Sequence, residues 1–263
     1  MITSFIPYHS TQQNPFRTLL VLAVICLSCA KPPQPQKLKI AAASDLNFAM
    51  QDITTRFRAS HPAVQLDVAY GSSGNFFAQI GNRAPFDIFL SADVEYPRKL
   101  AAAGIGAGNS VFTYAVGKVV VWVPLASPLD PATALRDPRL KHLAIANPQH
   151  APYGRAAQAA VKSLGLNQVL EPKLVLGENI SQTLQFVESG AADAGIVALS
   201  LALAPPVRPR GRYWEIPADS YPRLEQGGII LKDSSAARDF RDFLVSGSGR
   251  RVLRQYGFFV PAE

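Results

Sequence analysis

The chain has 263 residues, 48% of them hydrophobic and 17% charged, which suits a folded protein with a sizeable core and excludes a disordered or low-complexity one. The formal charge of +7 comes from dispersed Lys and Arg, with no run beyond pairs such as Arg250-Arg251 and no interleaved aromatics. That pattern gives no nucleic-acid footprint.

The N-terminus reads as a targeting segment. Arg17 precedes the apolar run Leu19 to Leu27, and Ser28-Cys29-Ala30 follows. Residues 1–30 are expected to be a signal peptide, too short in its apolar part to span a membrane. Two processing routes fit: cleavage after Ala30, or lipidation of Cys29 as the mature N-terminus. Cys26 and Leu27 match a lipobox poorly. Residues 31–37, rich in Pro and Gln, read as a tether. The expected location is the periplasm or another extracytoplasmic site, with a Cys29 anchor as the alternative. The two cysteines are Cys26 and Cys29, so the mature domain has no disulfide or thiol chemistry. No later run reaches the roughly 18–20 apolar residues of a membrane span. The nearest, Ala194 to Val207, is interrupted by Ser200, Pro205 and Pro206.

From residue 38, strand and helix patterns alternate. Leu38 to Ala43 is an apolar strand that breaks at Ser44-Asp45. Asn47 to Ser60 is an amphipathic helix with Ala49, Ile53 and Phe57 on one face. Val64 to Tyr70 alternates as a strand and ends in Gly71-Ser72-Ser73-Gly74-Asn75, before a short helix with Phe77 and Ile80. Phe86 to Asp93 is a third strand, with a helix near 95–103. Tyr114 to Val123 reads as one extended strand able to cross between lobes. Leu143 to Ala146 is a buried strand, Asn147 to Gly154 a loop and Arg155 to Leu164 a helix. Lys173 to Leu176 is a strand, Ile180 opens a helix, and Ala194 to Ala198 is another buried strand. Gly227 to Leu231, Ala236 to Val245 and a helix near 249–256 complete the chain. The βα alternation predicts an α/β protein with mostly parallel sheets flanked by helices. Two lobes are expected, 38–117 with 219–263 and 118–218, with the ligand cleft between them.

In such folds ligands bind beyond the carboxyl ends of the strands. Ser44, Ser72, Ser73, the Pro152-Tyr153-Gly154 turn and Asn179-Ile180 all stand where a strand hands over to a helix. Each offers backbone N–H groups that no helical carbonyl can take, and the helix dipole there favours an anion. Taken alone, Ser44 would be an N-cap and Asp45 a first-turn acid. Read together, the junctions make a donor-only pocket. A pocket without acceptors disfavours hydrogenphosphate, whose proton needs one, and favours a fully deprotonated oxyanion. Asp45 must then point away from the ion or be neutralised. Asp93 reads as a capping or loop acid, and Arg155 as a surface cation in a first helical turn. His150 is a loop residue without a second ligand at metal spacing. Asn47 and Asn75 either orient the serine loops or cap helices.

Ala41-Ala42-Ala43-Ser44-Asp45-Leu46, Tyr70-Gly71-Ser72-Ser73-Gly74-Asn75, Ala84-Pro85-Phe86-Asp87-Ile88-Phe89-Leu90-Ser91-Ala92-Asp93 and Tyr256-Gly257-Phe258 occur in an order and spacing that resembles the periplasmic molybdate-binding proteins (ModA-like) of molybdate ABC importers. The resemblance covers residues 38 to about 260. It implies the two-lobed type II periplasmic-binding-protein fold, capture of molybdate or tungstate by neutral donors, and delivery to a membrane permease. By position it implies hydroxyl and N–H donors from Ser44 and Ser73, and backbone N–H donors from Tyr153 and Ile180. Ser72, Asp45 and Asn47 are secondary candidates. Some members have a tyrosine where this chain has Ala198, after Gly195-Ile196-Val197, and Tyr153 is then expected to supply the phenol. The resemblance implies no cofactor, no direct protein–metal ligand and no nucleic-acid partner, and a monomer is expected. The alternatives are a binder of another oxyanion such as sulfate, or of an organic acid, which an Arg fork would usually meet. The matched positions lack such an Arg. An enzyme lacks support, because there is no Gly-x-Ser-x-Gly elbow. A sensor lobe lacks an output domain.

Overall fold

The computed structural model describes residues 1–9 and 36–260. The chain divides into Met1–Pro35 and Gln36–Glu263. In the first unit, residues 1–9 are exposed and have no regular secondary structure. The expected cleavage site, Cys26, Cys29 and residues 31–35 lie outside the described residues. The last two tether positions, Gln36 and Lys37, already belong to strand β1, Gln36–Ala43. They pair with Val64 and Gln65, so the sheet claims them.

The second unit alternates as expected. After β1 come a single 3-10 turn, Ser44–Leu46, and helix α1, Asn47–Ser60. Strand β2 is Val64–Gly71, helix α2 Ser73–Gly81, strand β3 Ile88–Ser91 and helix α3 Glu95–Ala102. The long apolar run at 114–123 is not one strand. It forms β4, Val111–Gly117, and β5, Val119–Pro124, which lie in different sheets. The break at Lys118 is the first crossing between lobes. Strand β6 is Leu143–Ala146, and helix α4 spans Pro152–Ser163. The loop expected to reach Gly154 thus ends at Ala151, because Pro152 suits a first helical position where no N–H is needed. Helix α5 is Asn167–Leu170, strand β7 Leu174–Gly177, helix α6 Ile180–Glu188, strand β8 Ala194–Ala198 and helix α7 Leu199–Ala202. Strand β9, Gly211–Glu215, was not visible as a periodic run, since its side chains are mostly exposed. Strand β10 is Leu224–Ile230, helix α8 Ser235–Val245 and helix α9 Gly247–Gln255.

The first sheet has the order β2-β1-β3-β10-β4 and the second β7-β6-β8-β5-β9. In the first, β1 is parallel to β2 and β3, and β10 is antiparallel to β3 and β4. In the second, β6 is parallel to β7 and β8, and β5 is antiparallel to β8 and β9. Each sheet thus has one reversed strand, and in both it is the strand that enters from the other lobe. This is the two-lobed type II architecture.

Register sets the site. Ala43 pairs with Gly71, so Ser44 and Ser72 follow side by side beyond the carboxyl ends of β1 and β2. Ala146 pairs with Gly177 in the same way, which sets the start of α4 near that of α6. The larger buried cluster gathers around Trp122, Phe57 and Phe240, and a smaller one around Phe76 and Phe89. Phe57 stacks on His61 at 4.3 Å and meets Phe240 and Phe243 edge-on at 5.4 and 5.6 Å. Phe57→Ala should cost about 3–5 kcal/mol. A drop in thermal midpoint with unchanged far-ultraviolet circular dichroism at low temperature checks it.

Candidate anion-binding site

Ser73 is the first residue of α2, Ile180 the first of α6, and Tyr153 the second of α4. Their N–H groups therefore have no carbonyl within their own helices. Ser44 opens the 3-10 turn after β1. All four line one small pocket of about 200 Å³, shared with Asp45, Ser72 and short stretches of backbone. No Lys, Arg or His lines it. Among the described residues no group of three or more His, Cys, Asp or Glu is placed to hold a metal ion.

The serines differ in what their hydroxyls do. Ser73 Oγ accepts the Ala92 N–H at 3.0 Å, and Ser44 Oγ accepts the Ser181 N–H at 3.4 Å. Each keeps its O–H proton to donate. Ser72 instead donates to the His150 carbonyl at 2.5 Å. Its hydroxyl is committed to the scaffold, which removes it as a side-chain donor. Ser44 is not a cap: the 3-10 turn and α1 both begin without a side-chain cap bond. Asn47 does not line the pocket, because α1 starts one step beyond the turn that carries Ser44 and Asp45.

The lobes are closed on one another. Gly74 N–H donates to the His150 carbonyl at 2.9 Å, and a Cβ on Gly74 would stand 2.5 Å from that oxygen, so only glycine permits the approach. Asn75 Nδ2 donates to Glu178 Oε1 at 2.5 Å, and Ser181 Oγ to the Ser44 carbonyl at 2.9 Å. Arg155 does not stand free at the surface. It pairs with Asp93 at 2.7 Å, reaches the Tyr96 hydroxyl at 3.1 Å and lies over the Tyr96 ring at 5.6 Å. Its charge is thereby held by Asp93 at the rim. Asp93 also accepts the Glu95 N–H at 3.0 Å, at the start of α3.

Asp45 points away from the pocket, into the floor between the lobes. It is 1% exposed. Its Oδ2 accepts the Tyr153 hydroxyl at 3.0 Å and Gln226 Nε2 at 2.6 Å, and Gln226 Nε2 also reaches the Tyr153 oxygen at 3.1 Å. Ser200 Oγ donates to the Asp45 carbonyl at 2.7 Å. The Tyr153 phenol is therefore spent on Asp45 and does not replace the donor missing at Ala198. It also rests on the backbone of Gly117, where a Cβ would lie 2.2 Å from the phenol oxygen. Burial lifts the Asp45 carboxyl from 3.8 to about 6, with smaller opposing effects from Gln226, Tyr153 and the backbone of Asp45 and Leu46. Burial, then the Asp45 charge, pushes the Tyr153 phenol well above the ordinary tyrosine value.

Sequence reasoning missed Gln226, Ser181, Ser200 and the Arg155–Asp93 pair. Gln226 is 0% exposed, and its only signal in the sequence is its place next to the run Gly227 to Leu231, since Glu225 on its other side is charged. The expected strand began at Gly227, one residue too late to include it. The others follow from lobe closure, which no local pattern encodes.

A family model of bacterial extracellular solute-binding proteins matches residues 38–259. The chain is 37% identical to the molybdate-binding protein ModA of Azotobacter vinelandii over 92% of this chain and 96% of that protein. It is 40% identical to the molybdate-binding protein ModA of Rhodobacter capsulatus over 72% of this chain and 75% of that one. The solved structure of the Azotobacter vinelandii periplasmic molybdate-binding protein superposes with a TM-score of 0.80 and 30% identity, covering 86% of this chain and all of that one.

The raised Asp45 carboxyl makes stability depend on pH. The folded protein holds this proton more tightly (about 6) than the unfolded chain does (3.8), so the group favours folding fully below about pH 4. That contribution is lost as pH rises through about 6. Two units correspond to about 3 kcal/mol. Urea unfolding at pH 4 and pH 7.5 should show Asp45→Asn gaining roughly that much over the wild type at the higher pH only.

Proposed function

Because this chain belongs to the bacterial extracellular solute-binding proteins, we propose that it captures molybdate, and with it tungstate, outside the cytoplasmic membrane and delivers the ion to an ABC importer. The observation that carries this reading is the convergence of Ser44, Ser73, Tyr153 and Ile180 on one small pocket lined by no basic side chain. Hydroxyls of Ser44 and Ser73 and the backbone N–H groups at all four positions would hold the anion through its oxygens. No protein atom bonds the metal. Neutral donors suit a fully deprotonated tetrahedral dianion, since each N–H or O–H gains strength from the ionised acceptor. The molybdate-binding relatives, 37–40% identical, favour molybdate over sulfate.

Donors come from both lobes, so the bound anion bonds both and stabilises the closed state relative to the open one. The hinges would be Gly117-Lys118 and the segment from Ile216 to Arg223, which separate residues 38–117 and 219–263 from residues 118–218. The exported chain works as a monomer that presents both lobes to the permease. Lipidation of Cys29 would add a tether and is outside what the site requires.

Titration calorimetry with molybdate, tungstate, sulfate and phosphate tests the reading. Heat is expected with the first two at micromolar concentrations or below, and the absence of heat with both would overturn it. Ser44→Ala with Ser73→Ala should weaken binding by about a hundredfold or more, from two lost bonds of about 1.5–3 kcal/mol each. An unchanged affinity would place the pocket elsewhere.

A further inference from the structure

Asp45 Oδ1 and Gln226 Oε1 are buried and have no hydrogen-bond partner. They belong to groups that are already joined, because Gln226 Nε2 donates to Asp45 Oδ2. A carboxylic acid and a primary amide form a cyclic pair with two bonds, N–H···O and O–H···O. Ionised Asp45 completes only the first and leaves two acceptors in a dry interior, each at a cost. One proton on Oδ1 would turn that acceptor into a donor, and Gln226 Oε1 is the unpartnered acceptor of the group already joined to it. Asp45 is also a lining residue of the pocket proposed to hold a dianion, and although its carboxyl turns to the floor, a negative charge this close to the ion in a dry interior is repelled far more strongly than in water.

We propose, building on the anion-capture reading above, that Asp45 carries a proton on Oδ1 when the cleft holds its anion, donates it to Gln226 Oε1, and so makes capture of the dianion take up one proton from solvent. The proton enters before the lobes close, and no bond other than O–H is made or broken. Asp45 is then a positioning residue. Its protonated side chain ties the floor of the first lobe to Tyr153, whose backbone N–H faces the anion from the second. Burial alone already lifts the carboxyl in the direction this requires.

The surrounding groups do not supply the proton. Tyr153 on α4 and Tyr114 on β4 are the titratable groups coupled to Asp45, and burial holds both phenols well above the ordinary value, neutral from pH 6 to 9. Ser44, Ser200 on α7 and Gln226 on β10 are uncharged. His150 meets Ser72 and Glu178 at the rim and makes no bond to Asp45.

Titration of the purified protein with sodium molybdate at pH 8, in two buffers of different ionisation enthalpy, counts the protons. About one proton taken up per anion is expected, with affinity falling about tenfold per pH unit between pH 7 and 9. Asp45→Asn carries an amide donor in place of the O–H. It should take up none, bind with an affinity that does not change with pH, and bind tighter than the wild type at pH 9. Wild-type binding without proton uptake and with constant affinity would overturn the proposal, as would an Asn variant that keeps the wild-type pH slope. If the variant fails to fold, the wild-type proton count decides alone. Absence of molybdate binding at every pH would instead remove the anion-capture reading on which this rests.

Discussion

A helix cannot satisfy its own first N–H groups, and here four chain segments that begin a helical turn bring those groups to one place. Parallel pairing makes this possible. Strands β1 and β2 end level, as do β6 and β7, so the turns that follow them open on the same edge of each sheet. Closing the two sheets' carboxyl edges against each other then yields a pocket rich in donors and empty of cations. The Ser44 and Ser73 hydroxyls line the same pocket and accept other backbone N–H groups, which leaves their own protons uncommitted. A site built this way selects by count and direction of donors, and owes little to net charge. None of the Lys or Arg residues behind the chain's formal charge of +7 lines the pocket.

One residue runs against that scheme. A carboxylate beside an anion pocket is a liability, and this fold uses it as a joint between lobes. Tyr153 meets Asp45 from the second lobe, and Gln226 meets it from β10 at the point where that strand's register shifts. The shift between Gln226 and Gly227 turns Gln226 inward. Gly117 leaves room for the phenol beside the first crossing. Three residues far apart in sequence thus meet where the lobes, the pocket and the hinge come together.

The legible parts of the molecule are those with local causes. The βα alternation, the helix over 47–60 and the junctions at Ser44, Ser73, Tyr153 and Ile180 all follow from period and from small residues at strand ends. The less legible parts have non-local causes. The run at 114–123 is uniformly apolar, so nothing in its period marks Lys118 as the point where one sheet gives way to another. Strand β9 is mostly exposed and has no apolar stripe. The direction of the Tyr153 phenol depends on Asp45, 108 positions away, and on a glycine that only the closed fold brings near. Ser72 and Ser73 are chemically identical in the sequence. A carbonyl at His150 and an amide at Ala92 decide which one stays free to donate.

The depth at which each cross-lobe bond sits gives the closed state a mechanical order. Asp93–Arg155 and Asn75–Glu178 lie at the lips, half in solvent, where such pairs hold weakly. The Asp45 cluster lies next to the fulcrum at Gly117. Force applied to the lips acts on a long lever arm and meets the weakest bonds first. Water then reaches the anion before it reaches the floor. An opening that begins at the rims would thus expose the cleft while the joint beneath still holds the lobes together.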